Sequence, residues 1–157
     1  MEQLQSFDLL FVKGESIIGR AVQHVTDSPY SHVAIVIDPW HVVETNWRYP
    51  LKVRHIKYRT DQYNIYRYKE PFTLYQLSTM EQFLRWNMNT PYDTIQSLTN
   101  GLYLLTGLPI RDAPERMNCS ETVDRMFAAA GIDLSPEVLG HVTPADLARS
   151  ELLYRVA

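Results

Sequence analysis

One cysteine, Cys119, is all that 157 residues contain. An intrachain disulfide needs two, so no covalent framework holds the fold; a multi-cysteine zinc site is excluded for the same reason, and the scarcity fits a reducing compartment. An excess of positive charge is also lacking: 15 Lys and Arg stand against 18 Asp and Glu, a formal net charge of -3. No global field would gather polyanions, so nucleic acid is not expected as a partner. No apolar run approaches the ~18 residues of a spanning helix. Met1 to Asp8 shows no basic region leading into an apolar stretch. Stable membrane insertion is therefore not expected, and a cytoplasmic location is. Glycine is sparse. Gly14 and Gly19 lie singly and Gly101 and Gly107 have no Lys-Ser sequel, so neither a phosphate loop nor a dinucleotide fingerprint is present and no cofactor is expected. His24, His55 and His141 show no regular metal spacing, and no metal site is expected either.

What is abundant is apolar and aromatic. A hydrophobic content of 45% supports one core, read as a single domain over residues 1–157. The 10 tyrosines, several of them between Tyr58 and Tyr75, suit half-buried strands. Phe7 to Val12 reads as a first strand closed by Lys13-Gly14. Glu15 to Val25 carries Ile17, Ile18, Ala21, Val22 and Val25 at helical spacing. Ser31 to Ile37 is apolar on both faces except at His32, the pattern of a central strand. His41 to Trp47, Leu51 to Tyr58 and Tyr63 to Lys69 follow as β-branched and aromatic runs, expected to form an antiparallel meander.

The second half reads as helical. Thr73 with Gln76 forms a capping-box pattern ahead of an apolar face of Leu74, Leu77, Phe83 and Leu84. Thr90-Pro91-Tyr92-Asp93 opens another expected helix. Asn118 with Glu121 caps a third that ends at Gly131, and Thr143-Pro144-Ala145-Asp146 caps a short fourth, with a last strand after it.

The third helix carries the chemistry. A thiolate is stabilised by the free N–H groups and positive dipole end of a helix start, which is where Cys119 sits. Val123, Met126, Phe127 and Ala130 share its face, so the sulfur points inward. A lone cysteine reads first as a small buried hydrophobe, and a lone strand histidine as a structural residue. Together they say more, because His32 interrupts an apolar strand and needs a polar partner. Glu44, interrupting Val42-Val43-Glu44-Thr45, is placed to orient that imidazole, although a strand glutamate also reads as solvent-facing. Alternation puts His41 on the opposite face from Glu44 and leaves it in reserve.

Taken in order, Phe7 to Val12, Ser28-Pro29-Tyr30-Ser31-His32-Val33-Ala34-Ile35-Val36, Val42-Val43-Glu44, Thr90-Pro91-Tyr92-Asp93 and Asn118-Cys119-Ser120-Glu121-Thr122-Val123 resemble the permuted NlpC/P60 papain-like cysteine hydrolases. The likeness runs from about Phe7 to Ser150. In the permuted branch, which includes YiiX-like proteins and relatives of lecithin retinol acyltransferase, the histidine strand precedes the cysteine helix, as it does here.

The resemblance implies an α+β, circularly permuted papain-like fold, its first-half antiparallel sheet packed against second-half helices. It implies Cys119 as nucleophile, His32 as base and Glu44 as the residue orienting the ring. Tyr30 and Tyr92 would line the site or donate to an oxyanion, roles they share with ordinary packing tyrosines. The substrate it suggests is an amide in peptidoglycan stem peptides, cleaved through a thioacyl enzyme, which a protein without an export signal would reach by lysis or a delivery system. Retinol acyltransferase relatives use a histidine as the third site residue and a membrane anchor; Glu44 in that place and the lack of an expected anchor favour the YiiX-like branch. Two other readings stay open: a hydrolase or acyltransferase acting on a lipid ester or thioester acyl substrate, and a non-catalytic binding module with an inert Cys119.

Overall fold

The apolar run before Lys13-Gly14 forms strand β1, Leu9–Val12, in a computed structural model that describes residues 3–14, 20, 23–24, 26–46, 48–91, 117–137 and 142–156. All of β1 is buried, because it lies inside an antiparallel sheet of six strands with apolar groups on both faces. The others are β2 (His32–Asp38), β3 (His41–Asn46), β4 (Tyr49–His55), β5 (Tyr63–Tyr68) and β6 (Leu153–Arg155). Their spatial order is β4-β3-β2-β1-β5-β6.

That order corrects the expected meander at one strand. β2, β3 and β4 do run as a meander, but β5 leaves it and pairs with the far side of β1, Leu10 opposite Ile65. Side chains account for the choice. Arg67 on β5 places Nε 2.7 Å from Oδ1 of Asp8, a carboxylate only 1% exposed, and Tyr66 packs edge-on against Phe11 at 4.8 Å. A buried anion requires a partner, and only a strand beside β1 brings the guanidinium to it.

Three helices are described in full: α1 (Leu74–Asn87), α2 (Cys119–Ala129) and α3 (Pro144–Ala148). Each starts at an expected cap, with Thr73, Asn118 and Thr143 all closing capping boxes. α2 ends as expected, with Gly131 at φ +77°, a left-handed conformation in which a side chain is strained. The helix expected over Glu15 to Val25 lies outside the described residues except for the helical Arg20, Gln23 and His24, and the one expected at Thr90-Pro91-Tyr92-Asp93 lies outside them from Tyr92 onward. Leu74 is a further correction, being 85% exposed, while Met80 and Leu84 are buried. At about 100° per residue, Leu77, Met80 and Leu84 form one stripe and Leu74 falls roughly a right angle away from it.

The helices cover one face of the sheet, where Phe11, Val33, Ile35 and Val43 meet Met80, Val123, Met126 and Phe127. Each such side chain stabilises the fold by about 2 kcal/mol on burial. The other face carries a smaller cluster of Leu10, Ala34, Val36, Val42 and Ile65, so β2 is apolar on both sides as its sequence suggests. Among the described residues no helix is long and apolar enough to cross a membrane.

The Asp8–Arg67 pair gives a test of this topology. Arg67→Ala leaves a buried carboxylate without its cation, and such a loss costs about 3 kcal/mol. Urea denaturation should show a fall in unfolding free energy of that order, and replacing an exposed arginine such as Arg85 should leave it nearly unchanged.

Candidate active site

β2 and β3 are paired with Ile35 opposite Val43 and Val36 opposite Val42. By alternation, Val42 and Glu44 share a face with His32, Ala34 and Val36. His32 opens β2, and its Nε2 lies 3.0 Å from Oε2 of Glu44. Glu44 is 5% exposed and the His32 side chain 17%, so the carboxylate is withdrawn from solvent while the ring keeps an open side.

β4 and the segment after it supply further donors to Glu44. Tyr49 donates to Oε1 at 2.7 Å, Arg54 brings Nε within 3.2 Å of the same oxygen, and Tyr58 donates a hydrogen bond to Oε2. Register explains part of this: Lys52 and Arg54 stand opposite Glu44 and Val42 and so project from the same face. Both cations also lie over the Tyr49 ring, Arg54 Cζ at 4.2 Å and Lys52 Nζ at 4.8 Å from its centroid.

Cys119 approaches from the helical layer. It is the first residue of α2 and 8% exposed, on a buried stripe with Val123, Met126, Phe127 and Ala130. Asn118 holds this helix start in place. Its side chain accepts from the Glu121 amide at 2.9 Å, its carbonyl accepts from Thr122 Oγ1 at 2.7 Å, and Ser120 ties the turn to the Val142 carbonyl at 2.6 Å. The thiol is within hydrogen-bonding reach of the His32 side chain. With Nε2 committed to Glu44, the nitrogen left to face it is Nδ1.

The electrostatics follow. Burial pushes the Cys119 thiol up, but the charge and hydrogen bond of His32, with the backbone amides of Val33 and Ser120, pull it below its ordinary range. Burial alone would lower His32; Cys119 and Glu44 outweigh it and raise the ring from 6.5 to about 10. Burial opposes ionisation of Glu44 as well, and His32, Tyr58 and Tyr49 overcome it, holding the carboxyl at about 2 rather than 4.5. Burial, and then Glu44 itself, keep both phenols well above the usual tyrosine range. The arrangement favours a thiolate beside an imidazolium, a pair able to attack a carbonyl and then protonate a leaving group.

Cys119, His32 and Glu44 are thus brought together. Tyr30 is buried with its hydroxyl bonded to Asn64 and, at 3.2 Å, to Tyr66, and Tyr92 lies outside the described residues. His41 bonds Asp38 at 2.8 Å and stacks near His55 with ring centroids 4.3 Å apart, away from Glu44 as alternation requires. Tyr49, Arg54 and Tyr58 are the residues that sequence reading missed. Only the buried charge of Glu44, demanding several donors, could have pointed to them.

Residues 3–151 match the family described as permuted papain-like amidase enzymes, YaeF/YiiX, C92 family. The chain belongs to that family. It is thereby a papain-like cysteine enzyme of amidase type, with the circularly permuted α+β fold expected. A solved relative, the crystal structure titled metalloprotein YiiX from Escherichia coli O157:H7, matches with a TM-score of 0.76 at 19% identity, covering 99% of this chain and 98% of that one. At that identity the likeness is one of fold. No functionally curated protein matches the chain. Among the described residues no three His, Cys, Asp or Glu side chains gather as a metal-ligand set; Cys119 and Glu44 flank the His32 ring rather than converge on a common point, so they do not fit a shared ion.

Two measurements check the geometry of this papain-like site. Iodoacetamide should label Cys119 well below pH 8.5, and His32→Ala should push that reactivity up towards the ordinary thiol range; equal, sluggish profiles for both proteins would refute the pairing. Glu44 also links folding to pH. Its depressed pKa supplies stability that is present above about 4.5 and lost as pH falls towards about 2. The size is on the order of 3 kcal/mol. Glu44→Gln should flatten the acid limb of the stability curve by a comparable amount in denaturation series at pH 2 to 6.

Proposed function

We propose that the protein hydrolyses amide bonds in peptidoglycan stem peptides, with Cys119 as nucleophile, His32 as general base and then acid, and Glu44 as the carboxylate that orients the ring. The observation that carries this reading is the line from Glu44 through the His32 imidazole to a thiol at the start of α2. Membership of an amidase family supports the amide bond, and the stem peptide is the substrate that the sequence resemblance suggests. Residues 1–157 are read as one catalytic unit.

His32 Nδ1 takes the Cys119 proton, and the sulfur attacks the amide carbon. The oxyanion forms near the N-terminus of α2, where the Cys119 amide is a candidate donor; in comparable sites one such donor is worth about 3 kcal/mol. The imidazolium passes its proton to the departing amine, leaving a thioacyl enzyme. Water, deprotonated by His32, releases the acid and frees the thiol. Throughout, Nε2 remains hydrogen-bonded to Glu44, which stabilises the charged ring.

The test is release of free amine from purified stem peptides, with short acyl esters assayed in parallel for the lipid ester alternative. Wild type should cleave the peptides, and Cys119→Ala should lower the rate by a factor of at least about 1,000 while the fold persists. Ester turnover without amide turnover would move the assignment to an acyl hydrolase or acyltransferase. Turnover retained in Cys119→Ala would remove Cys119 from the mechanism.

A further inference from the structure

Glu44 has more donors than are needed to orient one histidine. Its Oε1 takes Tyr49 and Arg54, and its Oε2 takes Tyr58 as well as His32. His32, Tyr49 and Tyr58 make hydrogen bonds and Arg54 adds an ion pair, so most of the roughly four lone-pair sites of a carboxylate are taken. The two oxygens are not equivalent in their consequences. Oε1 is secured from β4, and its donors suffice to hold the group in place. Oε2 is the oxygen that meets the imidazole, and the Tyr58 hydroxyl takes the lone pair that His32 leaves over. The Tyr58 ring also lies beside the imidazole, with centroids 6.4 Å apart and planes at 51°, within electrostatic reach of the Cys119 sulfur.

A hydrogen bond to a carboxylate oxygen draws charge from it and reduces its pull on every other proton that it holds. An unshared Oε2 would bind the His32 proton harder. The imidazolium would then be a poorer acid towards the leaving amine. We propose that Tyr58 is a positioning residue acting through Glu44: its hydroxyl keeps the exchangeable proton at Nδ1 of His32 and tempers the carboxylate, so that the Cys119–His32 pair forms without being over-stabilised. This rests on the reading of Cys119 and His32 as the reacting pair.

Among the described residues, the charged and titratable groups around His32 are Cys119 from α2, Glu44 from β3, Tyr49, Lys52 and Arg54 from β4 through Glu44, and Tyr58. Tyr58→Phe changes only the last and retains its ring. The readouts are the pH profile of Cys119 alkylation by iodoacetamide, which needs no substrate, and kcat and KM on a stem-peptide amide. Loss of the hydroxyl should raise the upper limb of the thiolate–imidazolium range, where the ring loses its proton, by about half a unit and should not lower the lower limb. kcat should fall about 5-fold at unchanged KM, in line with a poorer acid. Tyr49→Phe, acting on the other oxygen, should move the upper limb less. Incorporation of 3-fluorotyrosine at position 58, a stronger donor, should lower the upper limb and gives the opposite sign without removing a bond.

An upper limb unmoved in both position-58 variants would make Tyr58 a packing residue and overturn the proposal. A lowered upper limb in Tyr58→Phe would overturn it too, since the hydroxyl would then be the anchor of the carboxylate. Failure of the underlying dyad looks different, because the wild-type thiol would already react sluggishly and His32→Ala would change nothing.

Discussion

A carboxylate that is 5% exposed in a strand keeps its charge only if the protein replaces the water it has lost. Glu44 imposes that condition on the β4-β3-β2 end of the sheet. β2 must begin with a donor at its first residue, β4 must bring Tyr49 and Arg54 to the sheet face from which Glu44 projects, and the chain leaving β4 must pass close enough to deliver Tyr58. A slip of one residue in β3 would exchange Glu44 for an apolar neighbour and turn the charge towards the helical core. The register that builds the sheet is therefore also the register that builds the site, and a change that weakens one weakens the other.

The second condition comes from the opposite layer. Cys119 lies far along the chain from His32, and what brings it back is the packing of α2 on the sheet through Val123, Met126 and Phe127. The helix start is then fixed locally by Asn118, Ser120 and Thr122. The sulfur thus has two independent restraints, one on where the helix lies and one on how its first turn is wound. A thiol placed by packing alone would sit on the same face without the orientation needed to meet an imidazole nitrogen.

These restraints explain which parts were legible in the sequence. His32 and Glu44 stand out because each interrupts an apolar strand, and Cys119 because its helix begins with a recognisable capping box; such signals are local and need no knowledge of the fold. β5 shows the limit. Its run of aromatic and β-branched residues identifies a strand, but nothing local says that it pairs with β1 instead of β4, because the deciding contacts join Asp8 to Arg67 and Phe11 to Tyr66. Tyr58 and Tyr49 were hidden for a related reason. Tyrosine in a sheet usually means packing, and only the three-dimensional position of Glu44 converts two phenols into donors. Tyr30 runs the other way: it stands two residues from His32 in sequence, yet its hydroxyl is engaged by Asn64 and Tyr66.

The chemistry of the donors matters as much as their number. Arg54 supplies a positive charge to Oε1 at 3.2 Å with its side chain 28% exposed, so its influence is partly screened by solvent. Had the other donors also been cations, the net field at His32 would have turned positive and opposed protonation of the ring. Phenols held well above their ordinary range stay neutral: they hold the carboxylate without cancelling it. What remains is a balanced set in which Glu44 is offset by Arg54, and the thiolate of Cys119 by the imidazolium of His32. Moving the proton from sulfur to nitrogen leaves the total charge of this buried set unchanged, so little new charge has to be solvated from outside as the thiolate forms. A site of this composition can shift between thiol–imidazole and thiolate–imidazolium at low cost.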